Sequence, residues 1–225
     1  MRSSVPESSL LRKEKHMNII TIETNGFGEN CYIVTSDQGN AAVIDPGGKA
    51  EEILSYLGKN GLTAKKILLT HGHFDHIAAV WELKQATGAE IAVHELDGEM
   101  LTSPVKNLAA MFGEDYRPVA ADVLLQDGDR AVLDELVFQV IHTPGHTPGS
   151  VCFLVGETLF SGDTLFAGSI GRTDFPNGSY AQISESLKRL EALEGDYTVL
   201  SGHGEQTTLD RERNCNPYLR MLRED

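Results

Sequence analysis

Three imidazoles and a carboxylate fall within six residues in His71-Gly72-His73-Phe74-Asp75-His76, although the whole chain of 225 residues holds only 8 histidines. Neutral imidazole nitrogen and carboxylate oxygen are the ligand types that Zn²⁺ and neighbouring first-row ions prefer, so this run points to metal binding. The apolar Ile67-Leu68-Leu69-Thr70 before it reads as a buried strand, and Ile77, Val80 and Leu83 after it have helical spacing. His71 and His73 then project from the loop at the strand's end, while Asp75 and His76 stand at a helix N-terminus. Four ligands displayed from two faces of one short loop reach two points in space more easily than one. Each point needs completing from elsewhere in the chain.

Three other segments supply such residues. His146 lies in Thr143-Pro144-Gly145-His146-Thr147-Pro148-Gly149, where paired Pro and Gly fix turns on both sides of the imidazole. Asp163 follows the strand-like Thr158-Leu159-Phe160, and His203 follows Tyr197-Thr198-Val199-Leu200, each beside a glycine. A strand signal running into a Gly-flanked ligand predicts that several strand ends converge on one edge of a sheet. His94 and His142 are expected to support the ligands or face solvent rather than bind. Asp45, in Asp45-Pro46-Gly47-Gly48, is expected to form a turn in preference to orienting a ligand.

With these motifs the chain resembles the metallo-β-lactamase-fold hydrolases, and within them the small glyoxalase II-like (hydroxyacylglutathione hydrolase-like) proteins. The likeness spans about Asn18 to Leu219 and also takes in Asn30-Cys31-Tyr32-Ile33-Val34, Asp45-Pro46-Gly47-Gly48, Ser161-Gly162-Asp163-Thr164, Gly171-Arg172-Thr173-Asp174 and Ser201-Gly202-His203-Gly204. The resemblance implies an α/β fold, an αββα sandwich of two mixed sheets face to face with helices outside. It implies that His71, His73 and His146 hold one divalent metal ion and Asp75, His76 and His203 a second, with Asp163 bridging. Zinc is the expected metal, with iron or manganese as substitutes.

Two ions sharing a carboxylate also share a water, whose pKa falls from ~16 toward ~7 and makes hydroxide available at neutral pH. Asp75 is expected to orient that hydroxide as well as bind. Attack on a thioester carbonyl then needs no Ser or Cys nucleophile, and a thiol of pKa ~8.5 leaves without a strong general acid. In the glutathione thioesterases a basic residue at the position of Arg172 holds a glutathione carboxylate. Here Arg172 either does so or pairs with Asp174, which replaces the tyrosine of that pattern. The chain ends 22 residues after His203, so the C-terminal helical domain of those enzymes has no counterpart. The expected activity is therefore cleavage of a small-molecule thioester, with acyl and thiol parts open.

Other classes carry less of the sequence. A mononuclear iron persulfide dioxygenase shares the seven residues and Gly171-Arg172-Thr173-Asp174-Phe175, but has a Cys where this chain has Ile170. A β-lactamase would commonly have Cys at the position of Asp163. A binding protein with a vestigial site would not be expected to retain every ligand.

Composition adds constraints. The 19 basic and 33 acidic residues, net −14, argue against nucleic acid, since phosphate binding needs a basic surface. Cys31, Cys152 and Cys215 are odd in number and widely spaced, so they read as small buried residues in a reducing, cytoplasmic setting. No apolar run is long enough to span a membrane. Residues 1–16 are polar, precede a second methionine, Met17, and read as a disordered extension in which His16 is no ligand. Residues 17–225 read as one domain, active as a monomer or small homo-oligomer.

The elements expected to position the ligands are a hairpin over 18–44, a helix over 50–59, and the strand, metal loop and helix to Thr87. A strand at 90–94 follows. Further strands lie around 123–125, 137–141, 150–154, 158–160 and 197–200, with helices over 180–193 and 209–222. The segment 96–121, with Met100, Leu101, Leu108, Met111, Phe112 and Tyr116, reads as a lid or short helices over the site, or as an amphipathic surface helix.

Overall fold

The computed structural model describes residues 17–24 and 28–223; the extension expected over 1–16 lies outside the described residues. β1 (Asn18–Glu23), β2 (Asn30–Thr35) and β3 (Asn40–Ile44) form an antiparallel meander rather than a simple hairpin. α1 (Ala50–Lys59) then carries the chain across to β4 (Thr63–Leu68), which lies parallel to β3. α2 (Phe74–Ile77) and α3 (Val80–Thr87) replace the single expected helix, and Gly88 in the left-handed conformation ends α3. β5 (Glu90–His94) is followed by a 3₁₀ helix (Glu95–Thr102), α4 (Ala109–Phe112) and β6 (Val123–Leu125), completing a six-stranded mixed sheet in the order β1 to β6.

The second sheet begins with β7 (Arg130–Leu133), a strand without a strong sequence signal, paired antiparallel with β8 (Leu136–His142). β9 (Val151–Val155) and β10 (Thr158–Gly162) extend it, and a short ribbon, β11 (Leu165–Phe166) with β12 (Ser169–Ile170), leaves its end. α5 (Tyr180–Glu191) crosses over to β13 (Thr198–Ser201), parallel to β10, and β14 (Thr207–Thr208) closes the edge. The sheet order is β14-β13-β10-β9-β8-β7, again mixed.

The chain ends on α6 (Leu209–Cys215) and α7 (Pro217–Met221) instead of one helix over 209–222. Pro217 has no N–H to continue a helix and drives Asn216 into an extended conformation, from which the Asn216 side chain caps α7 by accepting from Tyr218 N.

Strand alternation sorts the apolar residues into layers. In β2, Ile33 faces α1 and α3 with Val43, Ile67, Ile91, Ile53, Leu57 and Leu83, while Tyr32 and Val34 face the other sheet. Between the sheets, Ile44 and Leu68 pack on Phe138, Phe153 and Phe160. Ile141, Leu159 and Val199 meet Ile183, Leu187 and Leu190 of α5, with Leu209 and Leu219 alongside. These three apolar interfaces make the expected αββα sandwich. Cys31 and Cys152 are buried as expected, whereas Cys215 is exposed.

Candidate metal centre

β4 ends at Leu68, and the chain then turns along the rim of the first sheet, placing His71 and His73 in the loop and Asp75 and His76 in α2. The loop between β8 and β9 brings His146, the end of β10 brings Asp163, and the loop after β13 brings His203. All seven residues converge on one edge of the sandwich. Ligand atoms of His71, His73 and His146 lie within 4.8 Å of one another, as do those of Asp75, His76 and His203. Asp163 stands between the groups: its Oδ1 is 3.4 Å from His76 Nε2, and its Oδ2 is 3.5 Å from His146 Nε2 and 3.6 Å from His203 Nε2.

Partners behind the rings decide which nitrogen faces the cluster. His146 Nδ1 donates to the backbone carbonyl of Arg172 at 2.8 Å, and His76 Nδ1 donates to Asp45 Oδ2 at 3.1 Å, so both present Nε2. Thr70 Oγ1 donates to Asp45 Oδ2 and lies 3.2 Å from His71 Nδ1, leaving His71 Nε2 inward. His73 instead turns Nδ1 in, 2.9 Å from His146 Nε2. Buried His71 Nε2 and Asp163 Oδ1 have no hydrogen-bond partner. A buried polar atom without a partner costs about 1–3 kcal/mol. Several nitrogen and oxygen donors aimed at common points, two of them orphaned, fit a pair of divalent cations.

Asp45 is therefore more than the turn former the sequence suggested. It does have a positive φ of 47°, yet its buried carboxylate also accepts from Thr70 N, Thr70 Oγ1 and His76 Nδ1. Three further residues, none of them singled out for the site by the sequence, hold its loops in place. Asp97, fully buried in the 3₁₀ helix, accepts from Gly72 N (3.0 Å), Thr147 Oγ1 (2.7 Å) and Gly149 N (2.7 Å), clamping the loop of His71 and His73 to that of His146. Asn30 Nδ2 donates to the carbonyls of Ser201 and Gly204, and Tyr32 Oη to Ser201 O, holding the His203 loop against β2. Of the two remaining described histidines, buried His94 stacks on His142 with ring centroids 4.1 Å apart. His142 Nε2 donates to Pro148 O, bracing the loop that carries His146.

Close approach explains two glycines. A Cβ on Gly202 would lie 2.3 Å from Asp163 Oδ1 and 2.5 Å from His76 Cε1, and one on Gly171 would lie 1.7 Å from Asp163 O.

The cavity beside the cluster measures about 370 Å³ and is walled by Phe74, Leu108, Phe112, Phe166, Ile170 and Phe175. Leu108 and Phe112 come from the segment whose role the sequence left open, which folds as short helices over the site. Arg172 also reaches this cavity. Its Nε and Nη2 each donate to Asp174 at 2.7 Å, and its guanidinium lies 3.9 Å over the Phe175 ring, so of its two expected pairings the structure has the one with Asp174.

Electrostatics divide the imidazoles. Burial, reinforced by neighbouring imidazoles, pushes His71 well down and His73 to about 3, so both are neutral at pH 7 and ready to bind a cation. Burial also opposes charge on His76, but Asp163, Asp45 and Asp75 outweigh it and hold that ring well above the usual range. Asp163, despite burial, is kept ionised by His76, His146 and His203. For His73 the linkage is direct: the unfolded ring protonates near 6.5, the folded ring only near 3, so protons favour the unfolded chain across that window. In chelator-treated protein, the stability of wild type minus that of His73→Gln is expected to fall as pH drops from 6.5 toward 3. Urea melts across that range check it, and a difference independent of pH would refute the assignment.

A family model described as the metallo-beta-lactamase superfamily matches residues 24–203, most of the chain. The chain belongs to the metallo-beta-lactamase superfamily. Among relatives of this superfamily, hydroxyacylglutathione hydrolase GloC of Haemophilus influenzae is 39% identical over 212 residues, covering 90% of this chain and 98% of that protein. The crystal structure of BLEG-1, a B3 metallo-beta-lactamase, superposes with a TM-score of 0.84 at 35% identity, over 90% of this chain and 99% of that one. The structure of TTHA1623 in a di-iron-bound form superposes with a TM-score of 0.80 at 38% identity, over 89% of this chain and 100% of that one. The fold is thus one used by metallo-hydrolases and able to carry two metal ions. Among the described residues no helix is long and apolar enough to cross a membrane.

Proposed function

We propose that this chain is a dinuclear metal-dependent hydrolase that cleaves a small-molecule thioester, of the general type named for GloC. The observation that carries the reading is the convergence of His71, His73 and His146 with Asp75, His76 and His203 about the single carboxylate of Asp163. The first three residues would hold one ion, the second three the other, and Asp163 both. Divalent ions there supply hydroxide at neutral pH and a positive charge for the oxyanion of an attacked carbonyl.

The chain's own residues prepare that chemistry. Asp45, Thr70 and the Arg172 carbonyl fix three rings with Nε2 inward, so no rotamer search accompanies binding. Asp75, with one oxygen 3.5 Å from His203 Nε2 and its carboxyl held below the usual range chiefly by a hydrogen bond to His203 despite burial, remains an anion beside the reacting centre, suited to orient the nucleophile by accepting a hydrogen bond from it. Phe112 and Phe175 line the cavity beside the cluster with apolar surface. No serine or cysteine nucleophile is required. Zinc is the proposed metal, with iron or manganese able to use the same donors. Free Cys31, Cys152 and Cys215 support a cytoplasmic setting.

The test is metal analysis of protein purified without added metal, joined to thiol release from lactoylglutathione. About two ions per chain, with cleavage abolished by chelation and restored by metal, is the expected result. One iron per chain with no thiol release, and oxygen uptake with glutathione persulfide, would overturn the reading in favour of the dioxygenase. The likeness to BLEG-1 favours lactam hydrolysis as a second reading, which a β-lactam in the same assay tests.

A further inference from the structure

The wall of the cavity is apolar right up to the ligands. Phe175 meets His73 edge to face at 5.7 Å between ring centroids, and Phe166 meets His203 at 6.3 Å, so an apolar ring adjoins each group of three ligands. Phe112 links Phe74, at 5.3 Å, to Phe175, at 6.2 Å, making one continuous aromatic side. Among the described residues the only arginine or lysine lining this space is Arg172, and it is already paired with Asp174. A carboxylate seated among the aromatic rings, away from the ligand cluster, loses its water while the one guanidinium at hand is already paired, and the chain's net charge of −14 adds repulsion. An alkyl or aryl group loses only unfavourable hydration, about fourfold in affinity for each methylene buried.

We propose that the site selects thioesters with an apolar, uncharged acyl group, such as medium-chain alkanoyl or arylacetyl, seated among Phe74, Leu108, Phe112, Phe166, Ile170 and Phe175. The carbonyl lies at the ligand cluster, and the charged parts of any thiol carrier stay outside the cavity. This rests on the thioesterase reading above. In the reaction a carbon–oxygen bond to hydroxide forms and the carbon–sulfur bond breaks with its electron pair going to sulfur. Thioester and water thus become a carboxylate, a thiol and one proton. The acyl group is assigned to the cavity because common carrier thiols are the anionic half of such substrates.

The experiment compares acetyl, butanoyl, hexanoyl and phenylacetyl thioesters of the uncharged thiol N-acetylcysteamine, with lactoylglutathione alongside, on the metal-loaded protein. In parallel, calorimetry measures binding of the acetyl and hexanoyl ketone analogues, in which a methylene replaces sulfur and nothing can be cleaved. From acetyl to hexanoyl, kcat/KM is expected to rise at least about tenfold and analogue affinity by a similar factor. Phe112→Ala, at a partly exposed position, is expected to shrink both ratios by about fivefold or more, and Phe112→Leu to restore most of the loss. A flat series in both assays, or lactoylglutathione outrunning hexanoyl, would overturn the proposal while leaving thioester hydrolysis intact. Graded analogue binding with no cleavage of any thioester would uphold the apolar site and overturn the hydrolase.

Discussion

Asp163→Ala is expected to reduce bound metal to no more than about one ion per chain and to lower thioester turnover by about three orders of magnitude. The carboxylate lies within reach of His146 of the first group and of His76 and His203 of the second, at 3.4 to 3.6 Å. Without it, the two groups become separate sites, one of three imidazoles and one of two imidazoles with Asp75, and both lose an anion that offsets the charge of a bound cation. Loss of one ion removes several kcal/mol of stabilisation from the developing oxyanion, which at 1.36 kcal/mol per decade gives the magnitude stated. Asp163→Asn keeps the shape, loses the charge and is expected to fall between. Metal analysis and steady-state kinetics on the same preparations check both. Retention of two ions with turnover within tenfold of wild type would rule out the bridging assignment.

Asp97→Ala is expected to act through stability and metal retention together, although Asp97 is no ligand. Its carboxylate collects two backbone N–H groups and one hydroxyl from two loops, and all three donors are buried with it. Thr147 Oγ1 retains Ser150 Oγ at 2.7 Å, but the N–H groups of Gly72 and Gly149 are orphaned, at about 1–3 kcal/mol each. Relief from burying the carboxylate, whose pKa burial raises, offsets part of that. A net loss of about 3 kcal/mol lowers the melting temperature by about 6–12 °C in a domain of this size. The loops of His71 and His73 and of His146 then part, and affinity for metal is expected to drop by about 10–100-fold. Asp97→Asn turns an NH₂ toward a donor whichever way it is placed, so it is expected to be intermediate. Thermal melts with and without chelator separate the two effects. An unchanged melt for Asp97→Ala would show that the loops hold themselves.

The candidate metal ligands were legible because coordination demands particular side chains at short range. The run from His71 to His76 displays its donors whatever the rest of the chain does, and the turns around His146, Asp163 and His203 are written in local Pro and Gly. Strand alternation likewise makes the sandwich readable, since Tyr32, Ile33 and Val34 announce opposite faces by their order alone. β7 and the break at Pro217 were harder: the first has only Ala131 and Leu133 facing inward, and the second lies inside an otherwise helical pattern.

By itself, then, the sequence pointed to the residues able to bind metal and to an α/β sandwich that presents them at a strand-end edge. Only the tertiary structure decided that Asp45 orients His76, that Asp97 ties two loops together, that His73 turns Nδ1 inward, and that Arg172 is spent on Asp174. The physical reason is distance along the chain. A ligand's type is a property of one residue, but its partner is set by the register of strands and the packing of segments tens of residues apart. Asp45 meets His76 across 31 residues through the pairing of β3 with β4, and Asp97 meets Gly149 across 52 through the packing of one sheet on the other.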